Sequence, residues 1–516
     1  MRFDIDTKSV KTRYMVSIGA TGLRAVMSFA VALLLARGLK PSGYGELSFL
    51  LGSFVAVRSL LDLGTSSAFY TFISRKSRHR GFYLAYIGWL GLQFALTVVA
   101  VGVILPDASI KILWLGHGRG QVLLAFAAVF MQQQLWQAAT QFGEARRMTV
   151  RVQAVTTAVA FVHLSVVALM LLADVMSVSF ILWAVFLEYL AASFVALRFF
   201  REAALPEDIR ERLGLREMAG EYMVYCRPLV LHSVFSFAYE FADRWVLQRA
   251  GGAAEQAYYQ IAYQFATAGS LAVNSIFNVL WKEIAEAYGM GDKGRVEVLV
   301  RRTSRLFAMS AAALSGFLIP WASELMVVLL GASYAMAAPV LTVMLLYPVF
   351  YTIGNINCAV FLATGRTRAY TAFSVAFMAA SLPVTYFALA PESWPVPGLG
   401  LGALGLALKI VVLTFLMVNA QSLVISRIGG WRFDWSHQFA ALGLSLAAGF
   451  AARLAAGMIL DLKAISGYAS LAYPMAFSGI LYVIMLSAIV WSMPRLIASD
   501  RSEIRGTLKK LVSMAF

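Results

Sequence analysis

Apolar residues in this chain run on for 18 or more positions at a time, again and again from end to end. Each run is long enough to cross the roughly 30 Å hydrocarbon core of a bilayer as a helix. A membrane-spanning barrel would need segments of about ten residues alternating apolar and polar, and no such alternation occurs. Charged or Pro/Gly-marked breaks divide the runs into spans 14–36, 44–66, 82–105, 121–143, 151–173, 177–200, 222–248, 256–281, 303–321, 337–363, 369–390, 398–426, 437–460 and 468–493. The pattern predicts an all-α polytopic membrane protein of about fourteen helices. The first span is too long for the apolar region of a signal peptide and lacks a small-x-small cleavage site, so it is expected to persist as a helix.

Composition agrees: 60% of the 516 residues are hydrophobic and 14% charged, with mean hydropathy +0.73, against about a quarter charged in soluble chains. The net charge of +16 would point a soluble protein toward nucleic acid. Here the basic residues take sides instead. Alternate loops hold 31 of the 43 Lys and Arg on one side and six on the other, namely Arg37, Lys40, Lys111, Arg119, Arg249 and Lys463. Basic loops stay cytoplasmic, so both termini are expected in the cytosol. The only two cysteines, Cys226 and Cys358, fall within predicted helices. Neither a disulfide framework, a metal-ligand spacing nor a phosphate-binding glycine loop is present. No cofactor, ATP hydrolysis or nucleic-acid partner is expected.

Three landmarks repeat at nearly one offset. Gly43-Tyr44 matches Ala257-Tyr258, Leu105-Pro106 matches Ile319-Pro320, and Leu115-Gly116 matches Leu330-Gly331. Two six-helix lobes in the same orientation follow, related by a pseudo-twofold along the membrane normal. The expected organisation is a lobe at 1–202, a linker at 203–221, a lobe at 222–430, two additional helices within 431–493 and a basic tail at 494–516. In the linker, Leu205, Ile209, Leu213 and Met218 recur at helical spacing with Arg210, Arg212 and Arg216 between them. That reads as an amphipathic helix on the inner leaflet, or as a solvated connector. The external loops are short, which disfavours a membrane-embedded polymerase or ligase, and no enzymatic activity is expected.

A charge near the bilayer centre costs from ~3 to over 10 kcal/mol, so such residues face a cavity or a partner. The candidates are Arg24, Arg58, Asp62, Glu188, Arg227, Glu240, Asp243, Arg244, Lys409 and Arg453, with His163 and His232. Arg24 lies mid-span with no acidic residue within a turn. Arg58 lies a turn before Asp62. Two guanidinium groups on adjacent helices suit a pyrophosphate, because their donors match phosphate oxygens bidentately; the plainer reading is an Arg58–Asp62 ion pair. Glu240 and Arg244 are spaced to pair along one face, with Asp243 beside them. Either carboxylate is a candidate for coupling to a proton or sodium ion, and a structural pin is the alternative. Lys409 and Arg453 are expected to snorkel, and the histidines to be packed polar residues.

The run Leu35-Ala36-Arg37-Gly38-Leu39-Lys40-Pro41-Ser42-Gly43-Tyr44-Gly45, followed by Asp62-Leu63-Gly64, resembles the N-terminal signature of bacterial polysaccharide transporters. Asp243-Arg244 with Ala257-Tyr258, Glu324–Leu330 with Gly331-Ala332-Ser333-Tyr334, and Ala363-Thr364-Gly365-Arg366 follow in the same order. The wider superfamily includes peptidoglycan-precursor flippases and multidrug exporters. The resemblance implies a V-shaped pair of lobes around a cationic cavity. It also implies a flippase moving an undecaprenyl-pyrophosphate-linked oligosaccharide to the periplasmic leaflet by alternating access, for O-antigen or exopolysaccharide synthesis. Arg24 and Arg58 match by position the arginines that family members use for pyrophosphate; with Asp62 and Arg244 they form the expected substrate site, and Asp243 and Glu240 are the coupling candidates. Membrane lipids, a polysaccharide polymerase and a chain-length regulator are the implied partners. The chain departs from the peptidoglycan-precursor branch in its eighth span, where Asn274 and Asn278 stand in place of an arginine and Lys282 lies at the end. A lipid II flippase and a drug or cation antiporter are the alternatives.

Overall fold

A computed structural model describes residues 10–76, 78–201, 214–268, 271–434, 436–459, 469–502 and 505. No strand occurs among them, and the spans read from the sequence fall mainly on helical residues where they are described. Among the described residues, ten helices are long and apolar enough to cross a membrane.

The chain forms two compact units, Met1–Ala257 with Met378–Gly402, and Tyr258–Phe377 with Ala403–Phe516. The first contains α1 (Val10–Asp62), α2 (Thr65–Arg75), α3 (Arg80–Val99), α4 (Asp107–Leu113), α5 (Arg119–Phe130), α6 (Trp136–Ala145), α7 (Thr149–Leu172), α8 (Val178–Arg201) and most of α9 (Leu215–Ala268). A π-helical turn, Met131–Leu135, joins α5 to α6. Here α1 packs on α7, and α8 packs on α5 and α6. The second unit contains α10 (Leu271–Gly289), α11 (Lys293–Leu318), α12 (Ala322–Leu330), α13 (Ala338–Met344), α14 (Tyr347–Ala363), part of α15 (Thr367–Leu389), α16 (Gly402–Gly429), α17 (Ser436–Ile459) and α18 (Ala469–Ser492). In it α11 packs on both α14 and α17, and α18 packs on α17.

The first two spans are one helical run broken at Lys40, whose backbone sits at φ 57°, ψ 175°. Pro41 causes the break: it has no N–H to donate, and its ring disfavours helical geometry at the preceding residue. The seventh and eighth spans are joined the same way, through Gly252 at φ 82°, ψ −179°. A glycine reaches that region without the Cβ clash that Lys40 tolerates. Other irregularities recur as well. Gly116 and Gly331 sit at φ 96° and 98°. Arg147 and Gly365 close α6 and α14 at φ 59° and 71° with the same two-bond C-cap, Met148 N–H to Gly143 O and Arg366 N–H to Phe361 O among them.

Most of the proposed linker, residues 202–213, lies outside the described residues, including Leu205, Ile209, Leu213, Arg210 and Arg212. Met218 is buried in the first turns of α9. Helices α11 and α17 cross in backbone contact. A Cβ on Gly449 would lie 1.9 Å from the Gly316 carbonyl oxygen, and one on Gly316 would lie 2.5 Å from that of Ser445. Small residues let two membrane helices approach to backbone contact.

Candidate functional site

Arg24 projects from α1 toward α7. Its Nη1 donates to Gln153 Oε1 at 2.7 Å and to Thr157 Oγ1 at 3.4 Å, and its Nη2 donates to Thr21 Oγ1 at 3.0 Å. Gln153 and Thr157 are one turn apart, so one face of α7 provides both acceptors. Gln153 Nε2 in turn donates to Glu144 Oε1 at 3.2 Å, so the nearest carboxylate is one amide removed. Arg24 is half-buried and makes no ion pair among the described residues. Sequence reasoning missed Gln153 and Glu144; a glutamine inside an apolar span was the available signal.

Arg58, further along α1, reaches two more glutamines. Its Nη1 donates to Gln133 Oε1 at 3.2 Å and its Nη2 to Gln137 Oε1, while its buried Nε has no partner among the described residues. The π turn, by inserting one extra residue per turn, sets Gln133 and Gln137 on the α5–α6 rod facing Arg58. The run Gln132-Gln133-Gln134 was the overlooked sequence signal.

The expected Arg58–Asp62 ion pair does not form. Asp62 is taken up by the start of α2, accepting from Thr65 Oγ1 at 3.1 Å, the Ser66 amide at 2.9 Å and Ser66 Oγ at 2.8 Å. The Ser66 bond satisfies one of the first amides of α2, which lack internal partners, and the two hydroxyl bonds fix the carboxylate there. The Glu240–Arg244 pair is likewise absent. Glu240 accepts from Ser236 Oγ at 3.0 Å. The Arg244 guanidinium lies against α1 at Gly52, where a Cβ would come within 2.2 Å of Nη1. Asp243, 6% exposed, accepts from Thr385 Oγ1 at 2.6 Å. Glu240 is within electrostatic reach of Arg244, Arg58 and Asp243. The first unit thus brings together Arg58 of α1 with Glu240, Asp243 and Arg244 of α9, and holds Arg24 separately on α7.

The remaining intramembrane charges resolve differently from expectation. His163 of α7 and Glu188 of α8 form a pair, Nδ1 to Oε2 at 2.6 Å. Arg453 does not snorkel freely: it pairs with Glu324 and lies 5.1 Å over the Trp321 ring. Lys409 is 3% exposed, so it is a buried residue of α16. Arg227, His232 and Lys282 are exposed, and the side chains of Asn274 and Asn278 lie outside the described residues. Cys226 and Cys358 are free thiols. No cluster of three metal-ligating side chains occurs among the described residues.

Guanidinium groups held by neutral amides keep their net positive charge. Placed in membrane-crossing helices, they favour an anionic group at the same depth.

Comparisons with known proteins place this geometry. No curated protein matches the chain. Among solved structures, the lipid II flippase MurJ in an inward closed conformation aligns over 93% of this chain and 99% of its own, with TM-score 0.67 at 14% identity. An inward-facing multidrug-resistance MATE transporter of the MOP superfamily aligns over 81% and 98%, with TM-score 0.59 at 13% identity. A MOP superfamily transporter from Pyrococcus furiosus gives 0.55 at 14% identity over 81% and 96%. These likenesses establish the fold. The sequence profile described as polysaccharide biosynthesis protein matches residues 12–281, more than half of the chain. The chain, which has the fold of the MurJ and MATE structures, belongs to the polysaccharide biosynthesis protein family.

Proposed function

We propose that the protein flips an undecaprenyl-pyrophosphate-linked oligosaccharide from the cytosolic to the periplasmic leaflet of a bacterial inner membrane, with both termini in the cytosol. The observation that carries this reading is the state of Arg24 and Arg58. Each is anchored by side-chain amide oxygen, Arg24 by hydroxyls as well, and neither has a direct carboxylate partner among the described residues. Such groups offer directed donors to a phosphate without first having to break an ion pair. The family match to polysaccharide biosynthesis supports an oligosaccharide-bearing cargo for O-antigen or exopolysaccharide. Alternating access of two six-helix lobes, with a polymerase and chain-length regulator downstream, completes the reading. In it the protein performs no bond chemistry of its own. Asp243 and Glu240 are the coupling carboxylates.

A lipid II flippase is the second reading. It is favoured by the longer alignment with MurJ, 93% of the chain against 81% for the MATE transporters.

The experiment is deletion of the gene, followed by complementation with Arg24→Ala, Arg24→Lys and Arg58→Ala and isolation of the lipid-linked intermediates. Arg24→Ala is expected to abolish export with the protein still inserted at normal abundance, and Arg24→Lys to restore only part. Normal export by Arg24→Ala overturns the phosphate role, and accumulation of peptidoglycan precursor instead of an oligosaccharide lipid transfers the assignment to the second reading.

A further inference from the structure

Two cavities open at the basic end of the second unit, the end that the charge bias assigns to the cytosol, and they share Ile425 and Trp431 in their walls. The first is walled mainly by apolar residues such as Val296, Val360, Phe361 and Ile428, with Lys293 and Arg366 also lining it. The second has lining surface that is also mostly apolar, but Arg301, Arg305, Arg432, Asn357, Gln438 and His437 bring cationic and polar groups to its wall. Across both, five cationic side chains face a single carboxylate, Asp434.

The charges are unevenly committed. Arg305 donates to Asp434 and to the Arg495 carbonyl at 2.6 Å, and Arg301 pairs with Glu297 one turn earlier. Lys293, Arg366 and Arg432 are exposed and make no ion pair among the described residues. His437 is 8% exposed, and its buried Nε2 has no partner among the described residues, nor has Arg305 Nε. Unsatisfied polar atoms buried beside a cavity cost about 1–3 kcal/mol each unless a ligand or water meets them. The dividing wall is also built. Gly429 ends α16 without a side chain, and a Cβ there would meet the Trp431 ring at 2.0 Å. That bare position lets the indole lie across the helix end between the two cavities.

An apolar slot beside a cationic one fits a ligand with a hydrocarbon chain and an anionic head. Basic pockets between helices at the cytoplasmic face take such headgroups by charge, and guanidinium groups suit their phosphate oxygens. We propose that these paired cavities hold an anionic phospholipid, its phosphate beside Arg301, Arg432 and His437 and its chain in the apolar cavity past Trp431. The site is independent of the transported cargo and of Arg24 and Arg58.

The test uses the full chain purified in nanodiscs of phosphatidylcholine containing phosphatidylglycerol, with retained lipid counted by native mass spectrometry. The wild type is expected to retain phosphatidylglycerol in preference to phosphatidylcholine. Removing two exposed charges, Arg366→Ala with Arg432→Ala, is expected to weaken that retention about tenfold or more. Ile428→Trp, which fills the apolar cavity and leaves every charge in place, is expected to reduce it too. Equal retention of the two lipids overturns the proposal, as does retention unchanged in both variants. Displacement of phosphatidylglycerol by millimolar inorganic phosphate would also overturn it, identifying a site for a free anion.

Discussion

Substituting Gly449 by alanine probes how the thirteenth span, α17, is seated on α11. The added Cβ would lie 1.9 Å from the Gly316 carbonyl oxygen, where a carbon–oxygen contact normally lies at about 3.3–3.6 Å. The obstacle is backbone of a packed helix, so no side-chain rotation relieves it. The helices must part by about an ångström, which loosens the contacts on both sides of the crossing. Overpacking of this kind costs roughly 1–3 kcal/mol or more, and at about 2–4 °C per kcal/mol for larger domains the melting temperature should fall by several degrees. Gly443 on the same helix provides the control, since nothing lies within 4 Å of its Cβ position. There alanine should be neutral, or stabilising by up to about 1 kcal/mol through helix propensity. Unfolding in detergent can be followed by intrinsic fluorescence from the protein's 11 tryptophans. A Gly449→Ala protein as stable as wild type would refute the reasoning, as would a Gly443→Ala protein destabilised to the same degree.

Asp62→Ala should lose about 0.5–2 kcal/mol through the start of α2, and its effect should add to that of Arg58→Ala. Recovery in the double variant would show instead that the two side chains are partners. Removing His163 alone should destabilise by about 3–5 kcal/mol, because the half of the pair left behind is buried, whereas replacing His163 and Glu188 together by leucine should recover much of that loss in a thermal-melt comparison. Burial alone would raise the pKa of Asp434, but the Arg305 hydrogen bond and charge, with Ser436 and the His437 amide, hold it below the ordinary carboxylate value. A carboxylate with a depressed folded-state pKa stabilises fully above its unfolded value near 3.9 and loses that contribution as pH falls through the folded value. Asp434→Asn should therefore be less stable than wild type at neutral pH, with the difference shrinking below about pH 4; a difference independent of pH would count against the Arg305 contact.

Membrane helices were legible because each must satisfy its own backbone in lipid, which forces the long apolar runs. The break at Lys40 was legible too, since Pro41 is a backbone requirement that sequence records directly. Side-chain partnerships were not. Arg58 has an acidic residue one turn away on its own helix yet bonds to Gln133 and Gln137, 75 and 79 positions on. Glu240 likewise ignores Arg244 for Ser236. Spacing along a helix sets which residues are neighbours on an isolated rod, worth about 0.2–0.5 kcal/mol per pair. Inside a bundle the choice is made by whichever helix is packed alongside.

By itself the sequence determined that this chain is helical, where it breaks, and which charges must be sheltered, because hydrophobic length, proline chemistry and the cost of burying charge act locally. Only the tertiary structure decided what shelters them. It set Arg24 against amides of α7, spent Asp62 on a helix start, paired His163 with Glu188 and stood Trp431 between two cavities. Those outcomes depend on helix rotation and crossing, which a π turn or a bare glycine shifts by amounts that no one-dimensional pattern encodes.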